Sequence, residues 1–321
     1  MKTRITEMLG IQYPIIQGGM QWLAYAGFAA EVSNCGGMGF INSTIFPEPE
    51  HLREEIKKAK KLTDKPFGVN ISMLPEVAAN DQTKAYFDVV VQEGVAAVET
   101  AGRSPEEFVP LLKEAGILLI HKVPAVRFAK KAESFGADMV TIVGVEGGGH
   151  PGLDEVAMQI LVNRASRELS IPVIAAGGIA NGRAMAAALA LGAEGVVVAT
   201  RLIATKECIA HENLKNMIIN ANETDTMLIM KSIRNSLRAL KNEAAQKVSE
   251  MEERGASLEE LLTVIGGNIG RKAIMEGDLD SGTISAGQCV GLVNEITTIK
   301  EVIEDMVLEA KQTANRLVNC F

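Results

Sequence analysis

The chain has 321 residues, 47% of them hydrophobic and 22% charged, and a formal charge of −8. The apolar share excludes wholesale disorder, and the length can bury a full core in one large α/β domain or two smaller ones. The acidic balance and the 4% aromatic content argue against a nucleic-acid partner, because phosphate neutralisation needs clustered Lys and Arg and single strands need stacking rings.

The opening residues, MKTRITEMLG, scatter charge where a signal peptide would carry an apolar core. Residues 169–182, the longest uncharged stretch near the centre, are too short to cross a bilayer and contain Pro172. We therefore expect a soluble cytoplasmic protein with no membrane partner. Cys35, Cys208, Cys289 and Cys320 lie far apart and form no C-x-x-C pair, so we expect no metal site and four reduced, mostly buried thiols.

Eight short apolar runs then recur at residues 14–19, 37–43, 67–73, 95–101, 117–123, 139–146, 171–178 and 195–201. Most are continuously apolar, as parallel strands covered on both faces require. Helical patterns fill the gaps at 49–62, 104–115, 125–135, 154–169 and 182–191, with Gly116, Gly136 and Gly192 placed as left-handed helix stops. Ser104-Pro105-Glu106-Glu107 reads as a cap, a first-turn proline and two acids. Eight βα units predict a closed (β/α)₈ TIM barrel rather than a doubly wound sheet.

The rhythm stops after Arg201. Residues 211–286 look helical, polar and strand-poor, and 294–317 look like a last amphipathic helix that returns as the eighth barrel helix. This predicts a barrel over 1–210, a mostly helical substrate or lid domain inserted after strand eight over 211–290, and a C-terminal segment over 291–321.

Barrels carry their chemistry at the C-terminal ends of their strands. Those ends hold Gly18-Gly19-Met20, Asn70 and Met73, Glu99, His121-Lys122, Gly147-Gly148-Gly149-His150, Gly177-Gly178 and Ala199-Thr200. The last two ends suit a phosphate, which the loops after strands seven and eight of a barrel bind with backbone N–H groups and a helix N-terminus. Gly147-x-Gly149-x-x-Gly152 formally fits a dinucleotide fingerprint, but Pro151 removes a donor and no acid follows the next strand. The loop reads better as a bare backbone wall for a planar ligand with His150 at its edge, able to act as general acid or base. His121 and Lys122 must point to opposite sides, and Lys122 suits the mouth as a donor to an anionic or electron-rich cofactor. Met20, Met38 and Met73 could pad such a cofactor.

Five of these segments resemble those of the nitronate monooxygenase, or 2-nitropropane dioxygenase-like, flavoproteins: IQGGMQW (16–22), KPFGVN (65–70), GGGHPG (147–152), PVIAAGGIANG (172–182) and LGAEGVVVATR (191–201). SAGQ (285–288) matches as well. The first motif and residues 99–102 and 120–127 look closest to the NADH:quinone reductase branch. The Gln-Gly-Gly-Met start is shared with the type II enoyl-acyl-carrier-protein reductases. The resemblance implies FMN, with its phosphate at Gly177, Gly178, Ala199 and Thr200. It places Gly18, Gly19, Met20, Asn70, Lys122, Gly148, Gly149, Ser285 and Gln288 about the cofactor, and it makes His150 catalytic. It also implies NADH or NADPH as co-substrate, a small-molecule acceptor and, as in many such barrels, a homodimer. The alternatives are nitronate oxidation with O₂ and an FMN-binding barrel without catalysis.

Overall fold

The structure is a computed structural model that describes residues 1–73 and 81–320. Eight parallel strands form one sheet: β1 (Ile15–Gln17), β2 (Gly39–Asn42), β3 (Phe67–Met73), β4 (Ala97–Gly102), β5 (Leu118–Val123), β6 (Met139–Val143), β7 (Val173–Ala176) and β8 (Gly195–Val198). Their order is β1-β8-β7-β6-β5-β4-β3-β2, and the Ile16–Met38 bridge brings the two ends together into a nearly closed (β/α)₈ barrel. The seam is completed by a side chain. Buried Gln17 acts as a peptide mimic, its Nε2 donating to Phe40 O (3.0 Å) and its Oε1 accepting from Phe40 N (3.2 Å).

Phe40, Met38, Ile120, Met139 and Ile174 fill the barrel interior, with Ile5 and Leu9 of the first helix (Arg4–Leu9) packed against them. Gly68 has no side chain because the Phe40 ring occupies the space: a Cβ there would lie 2.4 Å from it. Met38 is therefore core filling, and neither it nor buried Met73 lines the active-site cavity, contrary to the expected cofactor padding. The larger core lies between the sheet and its helices.

The expected helices form at Pro49–Leu62, Val126–Phe135, Met158–Glu168 and Gly182–Ala190, and Gly116, Gly136 and Gly192 all have positive φ. The fourth connection differs. The Ser104 hydroxyl is buried without a partner, and the chain enters a 3₁₀ turn (Glu106–Phe108) before the helix Val109–Glu114, in which Pro110 stands in the first turn. The last helix, Ile299–Val318, packs along Gly182–Ala190 and touches Ala26–Asn34, the place of an eighth barrel helix.

The segment after β8 contains more than helices. An antiparallel pair, β9 (Thr226–Ile229) and β10 (Leu237–Leu240), packs with the helices Glu243–Glu253 and Leu258–Ile265 around a small core of its own that includes Val248, Met251 and Leu261. The strand-poor reading of 211–286 is corrected accordingly.

Candidate active site

A cavity of about 1170 Å³ opens at the C-terminal ends of the strands, larger than a drug-sized ligand needs. It brings together Gly18, Gly19, Met20, Asn70, Lys122, Gly148, Gly149, His150, Gly177, Gly178, Ala199, Thr200 and Ser285. Gln288 stands apart: its backbone N–H is bonded to Glu146 O (2.9 Å), and it does not line the cavity.

At the β7–β8 end, Gly177 (φ 100°) and Gly178 (φ 74°) hold backbone conformations that favour glycine. The N–H groups of Gly177, Gly178 and Ala199 have no acceptor among the described residues. The helix that follows does not offer its N-terminus, as the sequence had suggested. Asn181 Oδ1 accepts from Ala184 N (3.0 Å), and the Glu309 carboxylate accepts from Gly182 N (2.8 Å). An anion here would meet the two glycines and the Ala199-Thr200 corner. Thr200 Oγ1 accepts from Gly287 N (3.0 Å), which ties residues 285–289 to that corner.

On the far side, β3, β4 and β5 present a polar chain. Asn70 Nδ2 donates to Glu99 Oε2 (2.6 Å), and Lys122 Nζ lies 4.0 Å from the same oxygen. Lys122 faces the mouth as expected. His121 turns towards the helices, where its ring meets Phe135 edge-on at 5.7 Å and Thr100 Oγ1 bonds Nδ1 (2.8 Å). Burial pushes the His121 pKa down to about 4, so it is a neutral structural residue. Gly19 must be glycine here, because a Cβ would lie 2.4 Å from the Asn70 amide.

The sequence places Glu99 at the end of strand four without assigning it a role, yet it anchors this chain. It is 1% exposed, and its Oε1 has no partner among the described residues. A buried carboxylate with one close hydrogen bond and a distant cation costs stability. Glu99→Gln can keep the Asn70 bond while shedding the charge. We expect it to raise the melting temperature by about 2–4 °C and to lower turnover, because Lys122 loses its counter-charge. A thermal melt paired with a turnover assay checks both, and a lower melting temperature would count against this account.

His150 lies at the edge of the glycine loop. Its Nδ1 is 3.0 Å from Ser236 O, and a carbonyl can only accept, so Nδ1 carries the hydrogen and Nε2 is the free position. The ring keeps an edge open to solvent, but the protein packed around it lowers its pKa below the ordinary 6.5. Desolvation is the first cause; the Lys122 charge adds to it, and the Ser236 carbonyl opposes both. The neutral ring is therefore a base or acceptor at Nε2, and it donates from Nε2 only after taking up a proton.

The loop is held from outside the barrel. Gly149 and Arg238 exchange backbone hydrogen bonds (3.1 and 2.7 Å), and buried Arg238 donates Nε to Val145 O (2.7 Å) and a terminal nitrogen to Thr226 Oγ1 (3.0 Å). Ser236, just before β10, and Arg238 on β10 thus orient the histidine loop.

These residues fit FMN. A Cβ on Gly149 would meet nothing within 4 Å, so the loop leaves a bare backbone face in the cavity. Among the described residues, free N–H groups would meet an anion at one end, and Lys122, with the buried Glu99 carboxylate behind it, lies at the other. Bound there, FMN would supply two-electron chemistry that no side chain offers.

A parallel barrel with a glycine wall, a histidine at its rim and an anion corner after β7 and β8 defines an oxidoreductase barrel. Residues 2–309 match the nitronate monooxygenase family, and the chain belongs to it. It is 31% identical to the (3aS,4S,5R,7aS)-5-hydroxy-7a-methyl-1-oxo-octahydro-1H-indene-4-carboxyl-CoA dehydrogenase of Rhodococcus jostii, over 97% of this chain and 96% of that one. It is also 31% identical to a probable nitronate monooxygenase of Staphylococcus saprophyticus, over 98% and 99%. Among solved structures, FabK from Thermotoga maritima superposes with a TM-score of 0.93 at 39% identity, covering all of both chains.

Proposed function

We propose that the protein is an FMN-dependent reductase in which electrons from NAD(P)H pass through FMN to an α,β-unsaturated carbonyl or quinone. The overall change consumes NAD(P)H, a proton and the acceptor, and yields NAD(P)⁺ and the two-electron-reduced acceptor. The full-length likeness to FabK, and the resemblance of the Gln-Gly-Gly-Met start to the enoyl-acyl-carrier-protein reductases, support this reading. The observation that carries it is the single ionisable ring at the edge of the glycine wall. His150 loads a proton at Nε2 through its open edge and releases it as negative charge develops on the acceptor. Gly177, Gly178, Ala199 and Thr200 would hold the phosphate, Gly148 and Gly149 would back the ring system, and Asn70 and Lys122 would contact its polar edge.

Nitronate oxidation is the second reading. It is favoured by the family match and by the same histidine, whose neutral Nε2 can take the proton from the carbon next to the nitro group of a nitroalkane and so generate the nitronate that is then oxidised. Mixing the yellow protein anaerobically with NADH, NADPH or propyl nitronate separates the two. Bleaching of the flavin absorbance by a nicotinamide is expected. Bleaching by the nitronate but by neither nicotinamide would replace the first reading with the second, and purification without flavin would overturn both.

A further inference from the structure

The cavity has an arm that the flavin reading does not use. It runs from the end of β4, diametrically across the barrel ring from β8, past β5 and the helix Val126–Phe135, to the turn between β9 and β10. In a chain of charge −8, this arm is lined by Arg103, Arg127, Lys131 and Arg234, and among the described residues Asp154 is the one carboxylate that lines the cavity. Two of the cations are answered: Arg103 by Glu107 (2.8 Å) and Arg127 by Asp154 (2.8 Å). Lys131 and Arg234 have no acidic partner among the described residues, and both are exposed. Unanswered cations converging in a concave wall raise the local concentration of an anion.

Two further observations narrow the class of anion. Arg234 adopts φ +56°, a conformation glycine or asparagine takes more readily, at the turn where its N–H bonds Lys231 O (3.0 Å). The turn thus keeps a long cation at the cavity rim where a small residue would fit its backbone better. On the helix Val126–Phe135, Phe128 lines the same cavity and is 43% exposed, with the Arg127 guanidinium 4.7 Å from its ring centre. An exposed ring beside a guanidinium group suits a purine face next to phosphate.

We propose that this arm is a subsite for the adenosine diphosphate portion of a substrate, with Lys131 and Arg234 on the diphosphate and Phe128 under the adenine. The proposal rests on the reductase reading, since it names the handle by which that enzyme's substrate is held. Two sources share this chemistry: a nicotinamide dinucleotide and a coenzyme A thioester. Either would reach from the arm towards the glycine wall, so its reactive end would arrive beside His150.

The test uses the flavin-loaded protein and ADP as probe, titrated calorimetrically at low salt. Wild type is expected to bind ADP. Lys131→Glu combined with Arg234→Glu should weaken it by about tenfold or more, as loss of charge-assisted hydrogen bonds predicts. Phe128→Ala should weaken it by a smaller factor, and Lys300→Glu combined with Lys311→Glu, an equal charge change on the last helix, should not alter it. In turnover, a rise in KM for NADH alone identifies the dinucleotide as the source, and a rise for a short enoyl-CoA alone identifies the thioester. Absence of ADP binding by wild type, or binding untouched by the double variant, overturns the proposal. Flavin content is measured in each sample. A colourless wild type would overturn the reductase reading while leaving the ADP titration readable.

Discussion

His150→Ala is expected to keep its bound flavin and to lose turnover by about 10²- to 10⁴-fold, the range over which a positioned acid or base acts. Among the described residues the ring is held by backbone groups of Asn235 and Ser236 and keeps an open edge, so its removal leaves a water-accessible gap and the fold intact. The pH profile assigns its role. The His150 pKa lies below the ordinary 6.5, because desolvation and the Lys122 charge disfavour the imidazolium. If His150 delivers a proton to the acceptor, the active form is protonated. Turnover is then highest below that pKa and falls as pH rises through it. If His150 removes a proton from a nitroalkane, the active form is neutral, and turnover rises through the same pKa to a plateau at neutral pH. The two profiles slope in opposite directions, and both slopes vanish in the alanine variant. A stopped-flow series from pH 4.5 to about 8 distinguishes them. Full turnover in His150→Ala would remove the residue from the mechanism.

The barrel was legible because each strand is a short apolar run with a glycine or polar residue at its C-terminal end, and because the hand and order of βα units leave few alternatives. The positive-φ glycines after β7 were legible for the same reason: only glycine suits those dihedrals. What escaped the sequence was non-local. Ser236 fixes the His150 tautomer from 86 residues away, and nothing in its neighbourhood announces that. β9 reads Thr-Met-Leu-Ile, a four-residue apolar run that a buried helix could equally contain. Glu99 carried a usable signal, since a lone acid inside an apolar parallel strand must be paired or functional. The Ser104 cap failed because Pro110, five residues beyond Pro105, takes the first turn of the α-helix and leaves a 3₁₀ turn before it. Glu309 at the N-terminus of Gly182–Ala190 is a contact with the last helix, visible only once the barrel has closed.

Two neighbouring glycines should fail in different ways when given a methyl group. A Cβ on Gly148 would lie 2.6 Å from the Ala286 carbonyl carbon and 2.7 Å from Gly287 N, both backbone atoms that cannot step aside singly. Gly148→Ala must therefore push the 284–288 segment away from the histidine loop. That segment is bonded to Thr200 through Gly287 and bridged to β10 through Ser285, so the displacement spreads to the anion corner and to the strand that holds His150. We expect a cost of about 2–4 kcal/mol, in the range of overpacking, with loss of flavin and of turnover together. On Gly149 the methyl group would meet nothing within 4 Å, and the residue pays only for its φ of +81°. That costs about 1–2 kcal/mol, half or less of the Gly148 effect. Its Cβ would instead enter the cavity where we propose that the planar cofactor binds, so Gly149→Ala should remain folded while its affinity for added FMN drops. Melting temperature and flavin titration, measured on both variants, separate a wedge between two backbones from a wedge against a ligand. Equal losses of stability in the two would mean that the wall serves the fold alone.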